Sequence, residues 1–259
     1  MAYKQLKLWF DKELAVSLAQ KIQKFDSSFD KAKFVKAVTK QIDALELKAR
    51  VEMIADELYA GFNQEYEKSV TTLLRILGPE NEKETGMFKE YYWVMPIAKL
   101  VEKYGLDDFK LSMKALEEVT KRNTSEYAIR PYLVAEQTKT LKQMKKWSTN
   151  PNKHVRRLSS EGLRPRLPWA TKLDAFVKDP LPLIPILSIL KRDSSKYVQK
   201  SVANCINDIL KDNLEIGQQL IEDWAAESPS TETDWIIKHA LRNLIKKEDK
   251  WALDIVKRR

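Results

Sequence analysis

The sequence predicts an all-α protein, and three observations lead to this prediction. Apolar residues recur at spacings of three and four, as they do on one face of a helix, whereas strand-like alternation is hard to find. Glycine is scarce, with only six residues in a chain of 259. Three of the predicted helices also resemble one another in sequence. We therefore expect roughly a dozen helices arranged as repeats.

The first half of the chain contains several amphipathic segments. Phe34, Val38 and Ile42 begin an apolar stripe that continues to Leu45. The segment SVTTLLRILGP places its apolar residues together and ends at Gly-Pro, a pair that stops a helix. Two further segments, YYWVMPIAKLVEKYGLDDF and LSMKALEEVTKR, are predicted to form a helix pair joined at Gly105.

The second half continues the helical pattern to the last residues. Its predicted helices are EYAIRPYLVAEQTKTLKQMKKW, PNKHVRRLSSEGLR, LPLIPILSILKRD, KYVQKSVANCINDILKD, LEIGQQLIEDWAAE, TDWIIKHALRNLIKK and KWALDIV. Aligning HVRRLSSEGLR, YVQKSVANCIND and WIIKHALRNLIK sets His154, Tyr197 and Trp235 in register, 43 and 38 residues apart. Periods of roughly 40 to 47 residues, built from helix pairs, are typical of HEAT and armadillo arrays.

This repeat pattern predicts a curved α-solenoid of HEAT-like helical repeats with a concave basic groove. Helix pairs that cannot bury their own apolar faces stack on one another, and the stack curves. A compact helical bundle is the alternative. Because no long Gly/Ser/Pro linker divides the chain, residues 1–259 are predicted to form a single domain, in which residues 1–60 are a more acidic helical cap.

Charge and composition narrow the classes of function. The net charge of +9 and a pI near 9.3 favour polyanionic partners, without separating DNA from RNA or anionic lipid. The single cysteine, Cys205, rules out an internal disulfide, and no Cys/His pair has the spacing of zinc ligands. The sequence shows neither a signal-peptide core nor an apolar run of about 20 residues. We expect a monomer in the cytoplasm that holds no metal.

Basic residues recur on matching faces of the three aligned helices. The predicted groove residues are Arg157, Ser160, Glu161 and Arg164 in the first helix, Lys200, Asn204, Asp208 and Lys211 in the second, and Lys238, Arg242 and Lys246 in the third. Such a row would neutralise phosphates and bind nucleic acid in a salt-sensitive manner. The alternative is that each stripe is an ordinary solvated helix face.

Four arginines surround one glutamate in the segment NKHVRRLSSEGLRPRLPW. They are Arg156, Arg157, Arg164 and Arg166, and the glutamate is Glu161. Arg157 precedes Glu161 by four residues, so the two could form an ordinary helix salt bridge. One carboxylate cannot satisfy four guanidinium groups, however. Most of these arginines are therefore expected to face an anion outside the chain.

Two further acids lie one helix turn from a base. Glu126 precedes Arg130, and Asp208 precedes Lys211. Glu126 is alternatively a first-turn acid favoured by the helix dipole. Trp169 follows two prolines, so a rigid loop would hold its ring at the groove edge for stacking on bases or sugars. The alternative for Trp169 is a core position at a turn.

The segment HVRRLSSEGLRPRLPW closely resembles the signature of the AlkC branch of the AlkC/AlkD-like DNA glycosylases, bacterial alkylation-repair proteins built from HEAT-like repeats. SEYAIRPYL, VANCINDILKD and DWIIKHALRNLIKK also resemble that branch, so the resemblance extends from about residue 70 to the end. Many members of the branch carry an additional C-terminal immunoglobulin-like domain. We do not expect that domain here, because the sequence ends at KRR.

This resemblance implies a monofunctional DNA glycosylase that excises 3-methyladenine, with 3-methylcytosine as a further candidate, and that uses no cofactor. The implied partner is double-stranded DNA containing alkylated bases, at the nucleoid in the bacterial cytoplasm. By motif, Glu161 and Glu126 are the implied active-site carboxylates, Asp208 is a supporting acid, and Trp169 is an aromatic contact. The arginines of residues 156–166 would hold the DNA backbone.

Two rival functions fit the repeats and the charge equally well. One is a non-catalytic HEAT-type scaffold that binds nucleic acid or another protein, and only the carboxylates and the resemblance argue against it. The other is an RNA-binding scaffold, since a basic groove alone does not recognise a 2′-hydroxyl. Release of a base from DNA would separate the glycosylase from the first rival, and a preference for RNA would identify the second.

Overall fold

Polar side chains cap the N-termini of many helices by accepting a hydrogen bond from a backbone N–H of the first turn. The capping residues are Asp11, Asp30, Asp108, Asn152, Ser195, Ser230 and Asp249. The computed structural model describes residues 4–85 and 88–259, and these residues form helices and turns without any β-strand. The prediction of an all-α protein is confirmed.

The chain divides into two compact units, Met1–Pro131 and Tyr132–Arg259. The α-helices that begin in the first unit are α1 (Lys12–Gln23), α2 (Lys31–Gln41), α3 (Leu47–Gly61), α4 (Tyr66–Arg75), α5 (Phe88–Tyr91), α6 (Met95–Tyr104), α7 (Phe109–Thr120) and α8 (Arg130–Ala135). Short 3-10 turns cover Leu6–Trp9, Ile42–Ala44 and Tyr92–Val94. Helix α3 packs mainly against α6. The single domain of residues 1–259, with a cap over residues 1–60, stays a prediction. Residues 1–3 and 86–87 of that range lie outside the described residues.

The second unit carries the aligned repeats. Its α-helices are α9 (Gln137–Trp147), α10 (Lys153–Glu161), α11 (Asp174–Lys178), α12 (Ile184–Leu190), α13 (Lys196–Asp212), α14 (Leu214–Ala226), α15 (Thr231–Ala240), α16 (Arg242–Ile245) and α17 (Lys250–Arg258), with a 3-10 turn at Leu181–Leu183. Helix α13 packs against both α10 and α15. Val198, Val202 and Ile206 are fully buried along α13, as the apolar stripe predicts. The rings of His154 and Tyr197 meet edge-on with centroids 5.5 Å apart, which confirms the register of the first two repeats.

Two predicted helices are interrupted. The segment predicted as one helix from Glu126 onwards begins at Arg130 and breaks between α8 and α9 at Glu136. The Tyr132 carbonyl there accepts bonds from the Glu136 N–H at 2.8 Å and from the Thr140 hydroxyl at 2.9 Å. The third aligned helix likewise ends at Ala240, and Arg242 begins the separate helix α16.

No helix within residues 4–85 and 88–259 combines the length and the apolar character needed to cross a bilayer.

Candidate functional site

The candidate site lies in the second unit, where α10 packs against α13. The Asn152 side chain begins α10 by accepting from the N–H groups of His154 at 2.9 Å and Val155 at 3.4 Å. Glu161 is the last residue of this helix. The C-terminus of a helix carries a partial negative charge, so a carboxylate at this position requires nearby cations.

Arginines supply those cations to Glu161, which is only 5% exposed. Arg164 Nη1 donates to Glu161 Oε1 at 2.9 Å, and Arg157 Nη2 lies 3.6 Å from the same oxygen. Ser201, on α13, also contributes to lowering the pKa of this carboxylate. Burial alone would raise the pKa of Glu161, but Arg157 and Arg164 outweigh burial and lower that pKa below its ordinary value. Glu161 is therefore a buried carboxylate that stays ionised at neutral pH.

Arg164 joins this glutamate to a second buried acid. Its Nε donates to Asp208 Oδ2 at 2.9 Å, and its Nη2 donates to Asp208 Oδ1 at 3.4 Å. The Asp208 side chain is only 1% exposed, and Lys211 Nζ approaches it to 3.4 Å. Although burial opposes the charge of Arg164, the two carboxylates raise its pKa. One guanidinium group thus bridges α10 and α13 by binding an acid from each helix.

The expectation that most of the four arginines lack a carboxylate partner in the chain is wrong. Arg156 Nε donates to Asp193 Oδ2 at 2.6 Å, and its Nη2 donates to Oδ1 at 3.0 Å. Arg166 binds Asp212 in the same two-pronged manner, at 2.6 and 2.5 Å. The acids come from the next repeat, so one glutamate does not have to serve four arginines. Whether these arginines also contact DNA stays a prediction.

Sequence reasoning missed the partners that reach across repeats. Asp193 follows Arg156 by 37 residues, and Asp212 follows Arg166 by 46. The hydroxyl groups of Ser160 and Ser201, 41 residues apart, lie 2.7 Å from each other. All three separations lie within six residues of the 43-residue offset between the first two aligned helices. That offset was a partial signal, because residues about one repeat apart face each other across stacked helices.

The remaining groove residues of the second unit differ in exposure. Lys200 and Lys238 are exposed, and Asn204 is half-buried. The Arg242 Nη2 group donates to Asn204 Oδ1 at 3.0 Å. Burial, followed by the charge of Arg164, lowers the pKa of Arg242.

Trp169 is held outwards by an anchored loop. Its side chain is 82% exposed, whereas Leu163, Leu167 and Leu173 on the same loop are buried. The Leu173 N–H donates to the Pro165 carbonyl at 3.1 Å and closes the loop. Trp169 itself has a φ of 62°, a left-handed conformation that disfavours a bulky side chain. The alternative of a core tryptophan at a turn is wrong.

Glu126 and Arg130 belong to the first unit. Glu126 lies in the turn before α8, where the Ile129 N–H donates to the Ser125 carbonyl at 3.1 Å, and its interpretation as a first-turn acid stays a prediction. The Thr124 hydroxyl donates to Glu126 Oε2 at 3.0 Å and accepts from the Glu126 N–H at 3.3 Å. Arg130 is buried, with 6% exposure.

In the part of the chain that the structure describes, no group of three or more His, Cys, Asp or Glu side chains is arranged to hold a metal ion.

Comparison with known proteins adds three findings. The family model described as DNA alkylation repair enzyme matches residues 30–244. The uncharacterized protein YhaZ of Bacillus subtilis (strain 168) is 40% identical over 250 residues, which cover 96% of this chain and 67% of YhaZ. The structure of Pseudomonas fluorescens alkylpurine DNA glycosylase AlkC, bound to DNA containing an abasic site analog, matches with a TM-score of 0.88 at 37% identity. That match covers 98% of this chain and 68% of the AlkC chain.

Proposed function

The chain belongs to the family of DNA alkylation repair enzymes, and from this membership we propose that it is a monofunctional DNA glycosylase for cationic N-alkylated bases. The first candidate substrate is 3-methyladenine, and 3-methylcytosine is the second. The observation that carries the proposal is the buried, ionised Glu161 in a chain similar to an alkylpurine DNA glycosylase.

The chemistry of the lesion explains the choice of a carboxylate. A 3-alkylated adenine is cationic while it is attached to the sugar, so it leaves with the electron pair of the C1′–N bond and needs little help from a general acid. As that bond breaks, positive charge develops on the sugar as an oxocarbenium ion. A preorganised carboxylate beside C1′ would stabilise this charge and orient a water molecule, which adds to C1′ and loses a proton. The products are the free base and an abasic site, and the reaction calls for no cofactor.

Each site residue has a role in this proposal. Glu161 is the main active-site carboxylate, Glu126 is a second one, and Asp208 is a supporting acid. Arg164 binds Glu161 and Asp208 directly, so its role includes positioning both carboxylates. The exposed ring of Trp169 would stack against DNA.

The basic residues of the second unit would hold the DNA backbone. They are Arg156, Arg157, Arg166, Lys200, Lys211, Lys238 and Arg242, with Asn204 as a polar contact, and Arg130 of the first unit is a further candidate. The net charge of +9 suits a double-stranded DNA partner. We propose that the protein acts as a monomer on the nucleoid of the bacterial cytoplasm.

The test is release of bases from methylated genomic DNA, with the products separated by chromatography. We expect the wild type to release 3-methyladenine and Glu161→Gln to lose release while keeping its affinity for DNA. The amide keeps the size of the side chain but cannot stabilise a cation. The matched control is Glu215→Gln, which makes the same change from carboxylate to amide at an exposed position of α14. This variant should release the base as the wild type does.

Three outcomes would contradict the proposal. Loss of both base release and DNA affinity in Glu161→Gln would identify a structural salt bridge. DNA binding without release by the wild type would indicate a non-catalytic scaffold. Preferential binding of RNA would point to the RNA-binding alternative.

A further inference from the structure

A groove of about 820 Å³ runs between α1 and α2 in the first unit. Val16 on α1 and Val35 on α2 are half-buried and contribute to its apolar floor. Lysines line the groove from both helices. They are Lys12, Lys31, Lys36 and Lys40.

These four lysines form no ion pair within the described residues. The groove contains one carboxylate, Asp30, and that side chain caps α2 by accepting from the Lys33 N–H at 2.9 Å. Other lysines of the same unit do have acidic partners. Lys103, for example, lies within 2.9 Å of Glu52 and 2.8 Å of Asp56. The groove therefore combines an apolar floor with four lysines and one carboxylate, so its lining keeps an excess of positive charge.

We propose that this groove binds an acidic amphipathic helix of a partner protein. Such a helix places apolar side chains on one face and carboxylates beside them, which matches the valine floor and the lysine rim. A DNA backbone matches less well, because phosphates and sugars offer no apolar side chains to cover Val16 and Val35. The proposal is independent of the proposed glycosylase activity.

The spacing of the lysines sets the size of the partner segment. Lys31 and Lys40 are nine residues apart on α2, which corresponds to about 14 Å at a rise of 1.5 Å per residue. Lys36 and Lys40 lie one helix turn apart, so they can bind carboxylates spaced by one turn on a facing helix. A segment of about three turns would fill the groove.

Fluorescence anisotropy of a labelled synthetic peptide would test this proposal on the full chain. The probe is a peptide of about 12 residues with leucines at helical spacing and glutamates on the flanking positions. We expect Lys36→Glu/Lys40→Glu to weaken binding by about tenfold or more, because two favourable charge pairs become repulsive. Val35→Ser should also weaken binding, because it replaces an apolar side chain of the groove floor with a polar one. The matched control is Lys142→Glu/Lys145→Glu on α9, which makes the same change of charge at exposed positions and should bind as the wild type does.

Several results would overturn the proposal. The wild type failing to bind the peptide would do so, as would equal losses in the groove variant and the α9 variant. Undiminished binding of a peptide with serines in place of leucines would show that the floor has no role. Loss of duplex DNA binding in Lys36→Glu/Lys40→Glu, with peptide binding intact, would make the groove a nucleic-acid surface. Base release by the wild type is measured separately, so failure here and failure of the proposed function are distinguishable.

Discussion

At the scale of single residues, Glu161 occupies a position that is unfavourable for an anion. It is buried and ends a helix, and both conditions disfavour a carboxylate. The arginines reverse this effect, because Arg164 donates directly to the carboxylate and Arg157 adds a second positive charge. The side chain is thereby charged before any substrate arrives, which is the condition for electrostatic stabilisation of a developing cation.

Loss of Arg164 should strongly destabilise the second unit. Arg164→Ala leaves Glu161 and Asp208 buried without their shared cation, so the free energy of unfolding should fall by about 3–5 kcal/mol. Urea denaturation measured by circular dichroism would check this value. Arg166→Ala removes a more exposed pair with Asp212 and should cost much less. Equal losses in the two variants would contradict a special role for the bridging arginine.

At the scale of elements, the start of α10 depends on one side chain. Asn152 accepts from two backbone N–H groups, so Asn152→Ala should lower the free energy of unfolding by about 1 kcal/mol. Thermal and urea denaturation would both measure this change. The control is Thr138→Ala, which removes a polar side chain at an exposed position of α9 without removing a cap. An unchanged stability for Asn152→Ala would mean that water replaces the cap at no cost.

The sequence predicts where helices lie better than where they break. The stripe of Val198, Val202 and Ile206 identifies α13 because these apolar residues recur at helical spacing, and all three are fully buried. The break at Glu136 has no such signal. At this break the Tyr132 carbonyl accepts from the Glu136 N–H, as in a regular helix, and also from the Thr140 side chain. Periodicity of apolar residues does not report such a side-chain bond.

At the scale of the whole molecule, the sequence likewise predicts one part of the candidate site and misses another. Glu161, Arg164 and Asp208 are identifiable from the sequence because the segment that contains Glu161 and Arg164 is unusual in its charge and Asp208 lies on an aligned helix. Asp193 and Asp212 were missed because each is an unremarkable acid in its own segment. Only the stacking of repeats brings them to Arg156 and Arg166. The 43-residue offset pairs Arg156 with Gln199 and Arg166 with Ile209, so it indicates the neighbourhood of each partner acid but not the acid itself.

The excess of positive charge predicts a salt-dependent affinity for duplex DNA. Each phosphate neutralised by a lysine contributes about −0.9 to the slope of log affinity against log salt concentration. Lys200→Ala/Lys238→Ala should therefore make that slope shallower by about two. Anisotropy titrations at several salt concentrations would measure it.

Lys110→Ala/Lys114→Ala, on exposed positions of α7, removes the same charge and is the control. A control variant that changes the slope as much as Lys200→Ala/Lys238→Ala would show that net charge, rather than the aligned stripe, governs affinity.

The cross-repeat pairing has a consequence for how such a protein can diverge. Repeat arrays are usually modular, since a unit can be duplicated or exchanged if its apolar faces still fit. In the second unit, however, the cations on and just after α10 find their counter-ions on α13 and in the turn before it. Recombination that replaced one repeat alone would leave three arginines facing foreign side chains. The apolar faces would allow one repeat to be exchanged, but each arginine and its partner aspartate would have to be kept together.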